Sequence, residues 1–191
     1  MDPSDKQQPR KAPPVSGGVP RPAPRPQPPG LPSLPGRPES ELRLAQEVAR
    51  SLRYHHPLSL ALLELDVLAS PNALGEMDKL TVLSRFVRCV RSVQRDCDVL
   101  SRWSETIFVW LLPETELDAA VLACERLRRT CGGIVIGPLP PLTLSMGVAE
   151  LEMGEEGTAL IKRTGYALLA SQARGRNCVT RADVLPRKDE L

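Results

Sequence analysis

Thirteen of the twenty prolines in this 191-residue chain fall within its first 38 positions. Proline fixes φ and removes a backbone donor, so neither a helix interior nor a sheet ladder runs through such a stretch. Gly, Ser and Gln fill most of the gaps, and the few apolar residues cannot offset chain entropy. The folded part must therefore come from the remaining residues. Residues 1–38 are predicted to form a disordered, proline-rich N-terminal tail. Its segment 21–29 favours polyproline II and contains a PxxP, which suits either an aromatic-lined groove or a stiff spacer. A boundary at residue 38 also implies that a chain beginning at Glu39 keeps its full stability.

Beyond the tail, apolar periodicity takes over. Leu42, Ala45, Val48, Ala49 and Leu52 recur at helical spacing, with Ser40 as the expected N-cap and Pro57 as the stop, so residues 39–56 form an amphipathic helix preceding the domain. His55 and His56 at its end point different ways and have no third ligand nearby in sequence, which makes them a surface pair rather than a metal site. Strands are predicted over 58–66, 99–103, 107–112, 134–136, 142–151 and 177–180. Helices are predicted over 77–93, 117–131 and 158–173. Strands alternating with helices around one tight hairpin predict an α/β fold, with a mixed central sheet flanked by helices, over residues 57–181. Residues 182–191 are predicted to form a C-terminal tail.

Charge and cysteine usage narrow the function classes. Twenty-five basic against twenty-three acidic residues leave a net charge of +2, so no whole-chain field draws the molecule to nucleic acid. Among the basic residues Arg outnumbers Lys twenty to five, and Arg suits planar contacts to guanine, carboxylate or phosphate. The five cysteines form no CxxC pair and sit mostly in apolar segments, as reduced thiols do. No apolar run approaches twenty residues and no signal peptide is recognisable, so a cytoplasmic protein without a membrane contact is expected. The terminal Lys188-Asp189-Glu190-Leu191 spells a retention address that matters only to a secreted chain, and is read as coincidence.

Four blocks carry a more specific signal. Arg102-Trp103-Ser104-Glu105-Thr106-Ile107-Phe108 precedes an apolar strand and Pro113. Ala123-Cys124-Glu125-Arg126-Leu127-Arg128 lies on the next helix. Leu144-Ser145-Met146-Gly147-Val148-Ala149 and the stretch from Ala167 through Gly175-Arg176-Asn177 come next in order. In order and spacing these resemble the GGDEF, or diguanylate cyclase, domain over roughly residues 57–180, and the resemblance implies the palm-like nucleotide-cyclase fold.

The resemblance also implies a chemistry, against which this sequence can be read. Family members join two GTP molecules with the help of carboxylate-bound metal ions. Here the hairpin centre is degenerate. Ser104 and Glu105 stand for the paired glycines, Thr106 and Ile107 for the acidic pair, and Phe108 keeps its place. Glu64-Leu65-Asp66 retains a second acidic segment. In the loop after it, Asn72 and Asp78 stand as remnants of guanine readers, and Gln172 replaces an expected Lys while Arg176 remains. A hydroxyl and an alkyl group cannot replace two carboxylates around Mg²⁺. The expectation is therefore no catalytic residue, no metal, no cofactor and no diguanylate cyclase activity.

A second family feature survives in the sequence. An Arg-x-x-Asp ending four residues before the hairpin Arg binds the product cyclic di-GMP in such proteins, and here it reads Arg95-Asp96-Cys97-Asp98. A guanidinium fork meets guanine O6 and N7 while a carboxylate meets N1 and N2. Arg126 falls where the family supplies a further guanidinium, and Arg91 and Arg102 are additional candidates. Arg88, Arg91 and Arg95 are expected to share one helix face. Two readings stand side by side: a cyclic di-GMP effector signalling to a protein partner, or an interaction adaptor that binds no nucleotide.

Overall fold

The computed structural model describes residues 33–69, 74–137 and 141–185. Asn72, most of the proline-rich tail and the Lys-Asp-Glu-Leu terminus lie outside the described residues. Four helices, α1 (Arg37–Tyr54), α2 (Glu76–Val93), α3 (Leu117–Gly132) and α4 (Gly157–Ala173), surround five strands. The strands are β1 (Leu58–Leu65), β2 (Val99–Arg102), β3 (Ile107–Pro113), β4 (Leu144–Glu150) and β5 (Val179–Arg181). Their order is β2-β3-β1-β4-β5, antiparallel except for the parallel β4/β5 pair, which makes the sheet mixed.

Burial on both faces explains why β1 reads as a continuous apolar run rather than an alternation. Ala61, Leu63 and Leu65 join Phe108, Trp110, Leu144 and Met146 against α2 and α3. Leu58, Leu60 and Leu62 join Val109, Leu111 and Ala149 against α1 and α4. Glu64 shares the even-numbered face of β1 with these leucines, one residue from the strand's end, which sets a carboxylate at the rim of the α1/α4 layer.

Several sequence-based expectations are corrected. Ser40 is no N-cap: it is buried inside α1, which starts at Arg37 after Gly36, and its Oγ accepts from Ser101 Oγ at 2.7 Å. The docking face of α1 is Ser40, Leu44 and Val48, while Leu42 is 61% exposed. A polar residue thus belongs to the buried stripe because a partner hydroxyl on β2 satisfies it. Residues 134–136 form no strand beyond a single bridge residue. Arg95 lies past the end of α2, in the turn before β2, so the shared helix face ends at Arg91. Past β5, Ala182–Val184 form a short 3-10 helix, and Ala182 packs against the α1/α4 layer rather than starting a free tail. All five cysteines are free, and burial pushes the Cys124 and Cys131 thiols far above their usual range.

The tail boundary also moves. Leu34 packs on the core, the Pro35 carbonyl accepts from the Arg102 N–H at 2.8 Å, and the Arg37 guanidinium stacks 4.4 Å from the Trp103 ring centroid. Residues 33–38 therefore pack on the core, cap the β2 edge with one hydrogen bond and brace the hairpin through Arg37. A chain beginning at Glu39 should lose about 2 kcal/mol relative to one beginning at Ser33, a melting-point drop of roughly 4–8 °C. Thermal unfolding of the two truncations measures it, and equal midpoints would restore the boundary at residue 38.

Candidate functional site

The β2/β3 hairpin closes without glycine. None of residues 104–106 has a positive φ, so side chains are tolerated there without backbone strain. The Ser104 hydroxyl accepts the Ile107 N–H at 3.1 Å, and Arg102 wraps the turn, donating to the carbonyls of Ser104 and Glu105 at 3.1 Å each. Arg102 is thereby a hairpin brace, at the opposite end of β2 from Asp98.

Next to this turn the sheet register sets Ile107, Glu64 and Ser145 side by side. Glu64 and Asp66 present side chains only 9% and 7% exposed. Gln172, in the last turn of α4, donates to Glu64 Oε2 at 2.7 Å, and Thr106 Oγ1 lies 3.4 Å from Glu64 Oε1. Ser145 Oγ donates to Asp66 Oδ1 at 2.6 Å, and the Asn177 N–H to Asp66 Oδ2 at 3.2 Å. Arg176 Nη1 stands between them, 3.1 Å from Glu64 Oε2 and 3.4 Å from Asp66 Oδ1. Sequence reasoning found Glu64, Asp66 and Arg176 but missed Ser145, whose signal lay in its register opposite Glu64. It also took Gln172 only as a lost cation, whereas its amide is a donor to the buried carboxylate.

A magnesium ion of the kind used in diguanylate transfer needs near-octahedral oxygen ligation. As folded, the donors do not fit one. The hairpin offers a hydroxyl and an alkyl group, and a guanidinium bonds the two carboxylate oxygens that face each other. Among the described residues no group of three or more His, Cys, Asp or Glu is placed to hold a metal. Asp78 lies in the first turn of α2.

At the other end of β2 and β3, the C-terminus of α2 gathers the second set. Asp98 is buried, its side chain 2% exposed, and its Oδ2 accepts the Arg95 N–H at 2.8 Å, closing the turn. Arg95 is half-exposed. Its Nη2 lies 3.4 Å from Asp98 Oδ1 and donates to the Pro113 carbonyl at 3.3 Å and to Thr115 Oγ1. Arg126 reaches across from α3 to the Val93 carbonyl at 2.9 Å, at the negative end of the α2 dipole. Arg91 is exposed in the last turn of α2. Arg95, Asp98 and Arg126 thus meet at one helix end.

The family profile described as "Diguanylate cyclase, GGDEF domain" matches residues 30–178. The chain belongs to the GGDEF family. Diguanylate cyclase DgcM of Escherichia coli K12 is 37% identical over 125 residues, covering 65% of this chain and 30% of that protein. Diguanylate cyclase DgcP of Pseudomonas aeruginosa is 34% identical over 151 residues, covering 77% of this chain and 22% of that protein. This GGDEF chain thus spans about a third or less of the length of these curated relatives. Among solved structures, diguanylate cyclase SiaD of Pseudomonas aeruginosa, in complex with its activator SiaC, aligns with a TM-score of 0.71 at 31% identity, covering 78% of this chain and 58% of that one. The GGDEF domain of DgcB from Caulobacter crescentus, in complex with c-di-GMP, aligns with a TM-score of 0.75 at 23% identity, over 78% of this chain and 92% of that one, which confirms the fold.

These relatives correct the expectation that the chain is no enzyme. Proteins at 34–37% identity are named diguanylate cyclases, which points to an enzyme. Inferring lost activity from the hairpin side chains alone treats them as replacements in a fixed frame. The hairpin is nevertheless closed by the Ser104–Ile107 hydrogen bond, and Glu64 and Asp66 remain in place beside it. No helix among the described residues is long and apolar enough to cross a membrane.

Proposed function

We propose that this GGDEF domain binds cyclic di-GMP through Arg95, with Arg126 as a second guanidinium, and acts as an effector of that nucleotide. The observation that carries the reading is the state of Arg95. The polar contacts of its side chain among the described residues run through Nη2, and the half-exposed group keeps its Nε and Nη1 donors for a guanine edge. Asp98 acts as a positioning residue: its buried carboxylate and the Thr115 hydroxyl fix the guanidinium, so little rotamer entropy is lost when a ligand docks. Arg126 and the exposed Arg91 add positive charge suited to the phosphates of the ring. A protein partner for the effector is in keeping with SiaD, a relative solved with a protein activator. No metal is required for this binding, which involves only guanidinium donors.

A second reading, a diguanylate cyclase acting on GTP, is favoured by the names of the relatives. The two are separated on the full chain by calorimetry with cyclic di-GMP and by chromatography of GTP incubated with Mg²⁺. Under the first reading wild type releases heat with cyclic di-GMP. Arg95→Ala should then bind about five- to a hundredfold more weakly, the cost of one bidentate guanine contact, while Gln172→Ala at the far end of the strands should bind as wild type. Equal affinity in Arg95→Ala, or no heat from wild type, would overturn it. Metal-dependent appearance of cyclic di-GMP from GTP would establish the second reading.

A further inference from the structure

We infer that residues 21–29 of this chain dock along the uncovered apolar flank of α1 and bring their arginines to the acidic cavity at its C-terminal end. Leu42, Ala45, Ala49 and Leu52 form one stripe along α1, beside the buried Ser40, Leu44 and Val48. All four are exposed, Leu52 by 39%. On the other flank Arg50 reaches Glu114, at the end of β3, at 3.0 Å, so the stripe looks toward β4 and α4. Its far end opens into a cavity of about 550 Å³, where Leu52 and the 93% exposed Met153 supply apolar wall. Glu116, Asp118, Glu150 and Glu152 line the same cavity against one guanidinium, Arg181. Arg181 is taken up by Asp118 and Asp183, and Glu152 pairs with Arg163. The Glu150 carboxylate accepts the Leu117 N–H at 2.7 Å, and neither it nor Glu116 has an ion pair among the described residues. Such a surface suits a segment that is apolar along its length and cationic where it meets the cavity.

Length and charge name the occupant. The described chain begins at Ser33, beside the N-terminal end of α1, and residues 21–29 precede it closely in sequence. They read Arg-Pro-Ala-Pro-Arg-Pro-Gln-Pro-Pro, with two guanidiniums, no carboxylate and a sequence that favours polyproline II. Counted back from Ser33, Arg25 lies about 25 Å along such a chain and Arg21 about 37 Å. The 18 residues of α1 rise roughly 27 Å, so the two arginines bracket the distance to the cavity. Running antiparallel to α1, the segment sets proline rings against the Leu/Ala stripe and guanidiniums against Glu116 and Glu150. The short tether to Ser33 makes this docking intramolecular, which favours the chain's own segment over a second copy.

The test is hydroxyl-radical footprinting of the full chain, read as side-chain oxidation at Leu42, Leu52 and Met153. Met77 on α2 and Leu122 on α3, both exposed, serve as references. Reversing both charges with Arg21→Glu and Arg25→Glu should raise oxidation of Leu52 and Met153 roughly three- to tenfold, as the loss of two exposed ion pairs implies. The reference residues should not change. High salt should raise oxidation of the same two residues in wild type, since it screens exposed charges. Equal oxidation of Leu52 and Met153 in wild type and the charge-reversed chain would overturn the inference. So would a wild type indifferent to salt, a result that needs no variant. Protection of Leu42 and Leu52 that grows with protein concentration and ignores the two charge reversals would also overturn it, and would give the stripe to a second copy of the chain.

Discussion

Replacing Gly147 with alanine is expected to destabilise the domain by about 3 kcal/mol or more, lowering the melting temperature by roughly 6–12 °C. Gly147 lies in β4 where α4 crosses the sheet. A Cβ there would sit 2.3 Å from the Thr164 carbonyl oxygen, 2.3 Å from the Leu168 nitrogen and 2.8 Å from the Ala167 carbonyl carbon. All three are backbone atoms of α4 on its sheet-facing side, so no side chain can rotate away. The helix itself must lift from the strand, and that separates Leu168 from the Leu60–Leu62 layer and draws Gln172 off Glu64. The clash is thus felt in stability and at the carboxylate pair together. Thermal and urea unfolding of Gly147→Ala reads the first effect, and a midpoint within about 2 °C of wild type would show that α4 accommodates the methyl.

The second large effect is expected at Asp98. Asp98→Ala removes the acceptor of the Arg95 N–H and the counter-charge of its guanidinium from a position where the side chain is 2% exposed. Leaving a part-buried N–H unpaired and a guanidinium without its buried counter-charge costs about 1–3 kcal/mol, so the variant should melt several degrees lower with no ligand present. Asp98→Asn keeps an acceptor for the N–H and should lose less than half as much. Arg95→Ala removes a half-exposed side chain and should cost less stability than Asp98→Ala while losing more affinity for cyclic di-GMP. That inversion distinguishes a positioning residue from a ligand contact. Equal stability of Asp98→Ala and wild type would mean that the turn does not depend on the carboxylate.

Much of the fold was legible along the chain because period and punctuation act locally. The eight apolar-rich residues of β1 announced a strand covered on both faces, the limits of α2, α3 and α4 fell within one residue of expectation, and the hairpin stood out between two apolar runs. The site was less legible. Glu64, Asp66 and Arg176 could be picked out by type, but not that one guanidinium nitrogen serves both carboxylates. Asp66 and Arg176 stand 110 positions apart in the chain, and the sheet and three successive left-handed residues bring them together.

The sequence by itself determined most of the elements and membership of the GGDEF family, since each rests on residue type and spacing. Tertiary structure decided what packing alone can assign. It chose Ser40, Leu44 and Val48 as the docking face of α1, because a serine is tolerated inside once Ser101 faces it. It made residues 33–38 part of the fold, because the β2 edge offers the Arg102 N–H to the Pro35 carbonyl. It buried Asp98 and left Arg95 half in solvent, although both belong to one four-residue motif. Exposure, counter-charge and the identity of a hydrogen-bond partner are properties of neighbours in space, and a linear pattern carries them only where those neighbours are also neighbours in the chain.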